Sequence, residues 1–150
     1  MDDLGYMQLA IDEAEAAAVR EEVPVGAVLV MGDDVIAKSG NRILELRDPT
    51  AHAEILVMRA AADTLHNERL VGAQLFVTLE PCAMCAGAMS FARIARLVFA
   101  ADDPKGGAVL HGPKFFEQST CHWQPEVGRT EGDLADKSSR LLKDFFRARR

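Results

Sequence analysis

Two short stretches carry side chains able to do chemistry together: Thr50-Ala51-His52-Ala53-Glu54 and Pro81-Cys82-Ala83-Met84-Cys85. They supply one imidazole and two thiols, from His52, Cys82 and Cys85, and leave one acid, Glu54, uncommitted. Imidazole nitrogen and thiolate sulfur suit zinc, which binds them at about 2.0–2.3 Å. A structural zinc site closes all four positions with protein atoms, whereas a catalytic one keeps a position for water. Three ligands beside a spare carboxylate therefore read as hydrolysis. Each half alone is ambiguous. His-x-Glu is commonplace, and Cys-x-x-Cys serves redox pairs, structural zinc and catalysis alike.

Ligands this far apart in sequence need a scaffold that brings them together. Apolar residues at Met7, Ile11, Ala14 and Ala18 follow a helical period and predict a helix from Tyr6 to about Arg20. Val25 to Val30 and Val35 to Ala37, separated by Gly32-Asp33-Asp34, predict a β-hairpin, with Asn41 just beyond its second strand. Asp48-Pro49-Thr50 predicts a helix start with Thr50 as N-cap, the helix running through about Leu65. Gln74 to Leu79 reads as a buried strand. Pro81 then suits the first turn of a helix from Cys82 to about Phe91.

Arg96 to Ala100 predicts another strand, followed by a loop at Asp103-Pro104-Lys105-Gly106-Gly107. A closing helix from about Asp133 presents Leu134, Ser138, Leu141, Leu142 and Phe145 on one face. Between His111 and Arg129, interrupted by Pro113 and Pro125, no element is legible. Helices alternating with strands imply an α/β fold. Both halves of the ligand set open helices, where the positive end of the helix dipole favours thiolates.

The chain has 150 residues, about the size of one domain, and the expectation is one zinc-dependent domain over residues 1–150. The acidic start Met1-Asp2-Asp3-Leu4 lacks the positive charge and apolar run of a secretory signal. No apolar stretch approaches the roughly 20 residues that span a bilayer. Three cysteines do not suggest a disulfide framework, so a cytoplasmic protein is expected. A net charge of −6 argues mildly against a general nucleic-acid surface. The C-terminal stretch is nevertheless locally basic, with Arg140, Lys143, Arg147, Arg149 and Arg150 against Asp144.

The two motifs resemble those of the cytidine deaminase superfamily, and more closely those of the bacterial tRNA adenosine deaminase (TadA) family. The likeness extends to Glu22-Val23-Pro24-Val25-Gly26-Ala27-Val28-Leu29-Val30, Gly40-Asn41-Arg42 and Asp144-Phe145-Phe146-Arg147. It implies a three-layer α/β/α sandwich with a five-stranded mixed sheet, one zinc ion per subunit and a cytoplasmic homodimer. It implies hydrolytic deamination of adenosine to inosine at wobble position 34 in a tRNA anticodon loop, with tRNA-Arg as the expected substrate. The zinc ligands would be His52, Cys82 and Cys85, with Glu54 as the catalytic proton shuttle.

The resemblance also assigns Asn41 to the turned-out nucleoside, a residue that spacing alone reads equally well as part of a turn. It places Val25 and Ala53 in the pocket lining, the latter partly through its backbone, and Asp103 near a neighbouring ribose. Phe145 and Phe146 are packing residues by helical spacing, and one of them could stack on a base. His66 and His111 are expected at the surface. His122 and Trp123 sit in the illegible segment, His122 with a place at the border of the groove as one reading and Trp123 with stacking on a base as another, while Cys121-His122 offers a weaker second metal site.

Leu110 to Val127 departs from the family pattern, with His111-Gly112-Pro113-Lys114-Phe115-Phe116 where a small-residue and serine run is usual. That bears on substrate choice, and it keeps open an alternative: deamination of a free base or nucleoside such as guanine, cytosine or cytidine. A third reading, a non-enzymatic zinc-stabilised binding module, requires a fourth protein ligand and leaves Glu54 without a task.

Overall fold

The computed structural model describes residues 1–149; Arg150, counted above in the basic C-terminal stretch, lies outside the described residues. The elements run α1 (Asp3–Val19), β1 (Gly26–Met31), β2 (Asp34–Gly40), α2 (Ile43–Leu46), α3 (Ala53–Leu65) and β3 (Gln74–Leu79). They continue through α4 (Ala83–Ala92), β4 (Arg96–Ala101), a 3-10 turn (Phe115–Glu117), β5 (Glu126–Arg129) and α5 (Asp133–Arg147). Asp2 caps α1 by accepting from the Gly5 N–H at 2.9 Å.

The strands form one sheet in the order β2-β1-β3-β4-β5. The β1–β2 and β1–β3 pairs are antiparallel, and β3–β4 and β4–β5 are parallel. Residue alternation then builds two cores. Ala27 and Leu29 of β1, with Leu75, Val77, Leu97 and Phe99, pack under α3 and α4. Val28 and Val30, with Phe76, Val98 and Ala100, pack under α1, and Leu134 and Leu141 of α5 close the same side. Helices on both faces of a five-stranded mixed sheet make the expected three-layer sandwich. Phe76 and Phe99 are fully buried, and truncating either to alanine would cost about 3–5 kcal/mol.

Several boundaries differ from expectation. Thr50 is not a helix cap: its N–H and hydroxyl both bond the Asp48 carboxylate, at 2.8 and 2.6 Å, and α3 begins only at Ala53. Pro81 lies ahead of α4, whose N-cap is Cys82, so it restricts the entry and is not in the first turn. Neither α2 nor β5 is anticipated by the residue pattern. Among the described residues no helix is long and apolar enough to cross a membrane.

The end of the sheet where β1 starts and β2 and β3 finish is pinned along its backbone and from the face that α1 and α5 cover. A Cβ on Gly26 would stand 1.9 Å from the Ala10 carbonyl oxygen, so α1 rests on the start of β1 backbone to backbone. The Asn41 N–H continues the ladder by donating to the Val25 carbonyl at 3.0 Å. From the α5 helix, the Ser138 hydroxyl donates to the Thr78 carbonyl at 2.6 Å.

Candidate active site

The polypeptide leaves β3 at Leu79 and turns into α4, while β2 ends at Gly40 and leads through α2 to α3. Two helix N-termini thereby meet at one end of the sheet, with His52 the N-cap of α3 and Cys82 the N-cap of α4. His52 Nδ1 lies 3.6 Å from Cys85 Sγ and 3.8 Å from Cys82 Sγ. All three ligand atoms fall within 4.8 Å of one another, a spacing one small cation could bridge. Cys121 and His122 are not part of this group. The Cys121 thiol donates instead to the Trp123 carbonyl at 3.1 Å, and His122 is exposed. Among the described residues the cluster thus lacks the fourth protein ligand of a closed structural site.

The electrostatics favour a cation. The Cys82 thiol is held down to about 4, first by its hydrogen bond with Cys85 and further by the His52 imidazole. The same pairing with Cys82, together with burial, pushes the Cys85 thiol up. The bond to Cys82 raises His52. A thiolate, a buried thiol and an imidazole in contact would give up their shared protons to a dication.

Glu54 occupies the second position of α3 and is 3% exposed. Burial drives its carboxyl up from the usual carboxylate range. Its Oε1 is fully buried yet has no hydrogen-bond partner among the described residues. Buried oxygens seldom stay unpaired. Glu54 also lines a cavity of about 300 Å³ together with His52 and Cys82, the space a substrate or water would fill. The donor set and the unpartnered oxygen together fit a catalytic metal.

Val25, Asn41 and Asp103 line this cavity as expected. Asn41 is 6% exposed, and its Oδ1 accepts from the Ala53 N–H at 2.8 Å, which fixes the amide orientation and leaves its two N–H donors uncommitted there. Ala53 itself is fully buried and does not line the cavity; its contribution is that backbone N–H. Phe145 does not line the cavity either: it is 8% exposed, packs edge-on against Phe146 and lies under the Arg149 guanidinium, as its packing reading has it. Phe146, nearly half exposed, reaches the cavity from α5 beside Leu142. Beyond it the surface recess continues past Lys143 and Arg147.

Sequence reasoning missed Glu80. Its side chain is buried where β3 ends, and it lines the cavity. Burial opposes its ionisation, but N–H donors from Asp103, Leu110 and Val109 and the His111 ring outweigh it and hold the carboxyl below its ordinary value. His111 is accordingly not a free surface residue; its Nδ1 sits 2.7 Å from Glu80 Oε1. The only signal in the sequence was an acid directly preceding Pro81-Cys82. Ile43, the first residue of α2, was also missed and lines the same cavity.

The chain matches the family model of MafB19-like deaminases over residues 1–150. It is 57% identical over 145 residues to a protein of Agrobacterium fabrum named tRNA-specific adenosine deaminase, covering 97% of this chain and 94% of that one. A solved structure from a study of A-to-I editing by tRNA:A34 deaminases at the wobble position superposes with a TM-score of 0.89 at 56% identity. That match covers 93% of this chain and 99% of the other. A guanine deaminase from Bacillus subtilis is also similar, with a TM-score of 0.65 and 33% identity over 68% of this chain and 66% of its own.

Proposed function

This chain belongs to the MafB19-like deaminases and, within them, to the tRNA-specific adenosine deaminases, and we infer that its pocket hydrolyses wobble adenosine to inosine. The observation that carries the reading is a buried Glu54, one oxygen of it unpartnered, lining the same cavity as His52 and Cys82 of the three-residue cluster. His52, Cys82 and Cys85 would hold zinc. When bound there, zinc would supply the Lewis acidity that makes water nucleophilic near neutral pH.

The chain's own residues handle the protons. Glu54 takes one from the attacking water as its oxygen adds to C6 of the purine, and delivers it to N1. It then takes the second from the new hydroxyl and gives it to the 6-amino group as the carbon–nitrogen bond breaks. Ammonia departs, and inosine keeps a carbonyl at C6 and a proton on N1. A carboxyl raised by burial is suited to this exchange, because it takes up a proton more readily than an ordinary carboxylate does. Asn41, with its oxygen engaged by Ala53, would donate to the nucleoside. Val25 would pack against the base, Phe146 would stack beside it, and Asp103 would meet the neighbouring ribose.

A tRNA substrate accords with the recess that leads away from the cavity past Lys143 and Arg147, where phosphates would find positive charge. The likeness to the guanine deaminase is weaker and shorter, which sets the free-base reading second. We further propose tRNA-Arg as the tRNA, the cytoplasm as the location, and a homodimer. An apolar trough between α3 and α4, lined by Ile55, Met58, Ala62 and Phe91, supports the last, with Phe91 79% exposed.

The test is incubation with an adenosine-34 tRNA-Arg anticodon stem-loop, reading inosine by mass, with guanine and cytidine in parallel. Glu54→Ala should keep stoichiometric zinc and lose at least about a hundredfold in turnover. Cys82→Ala should lose the metal. Turnover of the small compounds alone, or equal zinc loss in both variants, would overturn the assignment.

A further inference from the structure

The stretch between β4 and the 3-10 turn contains no helix or strand, yet its two ends are tied to one point. At its start the Asp103 N–H donates to Glu80 Oε1 at 3.1 Å. At its far end the N–H groups of Val109, Leu110 and His111 all donate to Glu80 Oε2, at 3.1, 2.9 and 3.1 Å. The His111 ring completes the set through Nδ1, 2.7 Å from Oε1. A carboxylate only accepts, so that ring nitrogen carries the proton. Between the two ends, Gly107 passes so close that a Cβ would stand 2.5 Å from Glu80 Cδ and 2.5 Å from the Asp103 carbonyl oxygen. The loop is wrapped around a single buried anion.

That wrapping fixes a wall of the pocket. Asp103 and Gly106 both line the cavity. The Asp103 side chain is itself oriented by accepting from the N–H groups of Lys105 and Gly106, at 3.2 and 3.0 Å. Glu80 therefore sets where the Asp103 backbone stands, and the local turn sets where its carboxylate points.

We propose that Glu80 and His111 form a positioning pair that holds the Asp103 loop in its substrate-binding shape, without either residue taking part in the chemistry. This rests on the pocket being the nucleoside site argued above. Charge and acceptor capacity are what the geometry requires. Glu80→Gln would turn one oxygen into a donor and face it toward either two or three N–H groups. His111 adds the one donor that comes from a side chain, and it can be removed while four backbone donors remain.

The test compares wild type, His111→Ala and His111→Gln, the last restoring a side-chain N–H within reach. His111→Ala should raise KM for the stem-loop roughly tenfold, the size of one lost hydrogen bond to a charged group, with kcat within about twofold. Zinc content should be unchanged, and His111→Gln should recover most of the loss. Amide hydrogen exchange supplies a readout independent of catalysis. The N–H groups of Asp103, Val109 and Leu110 should be protected in wild type and exchange faster in His111→Ala, and faster still in Glu80→Gln. An unchanged KM, a fall in kcat alone, or unaltered exchange would overturn the proposal. If wild type fails to deaminate the stem-loop, the functional reading fails, and the exchange measurement still decides the pair.

Discussion

Asn41 does two jobs with opposite ends of one amide, and substitution can separate them. Its oxygen satisfies the Ala53 N–H at the start of α3, while its nitrogen remains for a ligand. Asn41→Ala should leave that buried N–H unpaired and cost about 1–3 kcal/mol, read as a lower midpoint in urea. Asn41→Asp keeps the acceptor, and a negative charge is favourable at a helix N-terminus. It should stay closer to wild-type stability than Asn41→Ala, while both variants lose activity; equal stability losses would deny the division of labour. The clustering of His52, Cys82 and Cys85 was legible because they announce themselves by residue type and by opening helices. Glu80 was not. Its backbone partners lie 23 to 31 residues ahead, and nothing local records that a loop will bend back to them. The choice between Phe145 and Phe146 was equally hidden, because adjacent helical residues differ by about 100° and the sequence does not print which way α5 is turned.

The elements themselves were read from periodicity, and where periodicity was absent they were missed. β5 has four residues, only one of them less than exposed, and it holds its place by parallel pairing with β4. A short edge strand of that kind has no apolar alternation to detect. By contrast α1 and β3 carry their buried faces openly in the sequence, and both lie within a few residues of expectation. α1 is also fastened at its start to β4, where Asp3 bonds the Arg96 guanidinium at 2.6 and 3.0 Å. That bond holds the Asp3 carboxyl below its ordinary 3.8. A lowered folded pKa means the contribution is present above that ordinary value and is lost as pH falls through the lower one. Both partners are partly exposed, so Asp3→Asn should cost only about 0.2–1 kcal/mol at pH 7. The gap between variant and wild type should close on acidification, as followed by thermal melts at pH 7 and pH 3. A gap that widened in acid would mean the pair has been misread.

At the scale of the molecule, one face of the α3–α4 layer is the least self-sufficient surface. Phe91 stands open above a trough of about 430 Å³ with apolar walls. If a second copy covers it, Phe91→Asp should convert a dimer to a monomer in light scattering at micromolar concentration. The variant should still fold, because Phe91 belongs to neither core cluster. A monomeric wild type would reject the homodimer outright.

The cavity's walls also come from segments far apart in the chain. Val23 to Glu54 and Leu79 to Gly106 supply most of them, but the remaining side is Leu142 and Phe146, on α5. In any state where α5 has come away from the sheet, His52, Cys82, Cys85 and Glu54 would still face one another, but the chamber would stand open on one side. Such a state would keep its cluster of donors and lose its hold on a nucleoside, so the two respond to different parts of the chain.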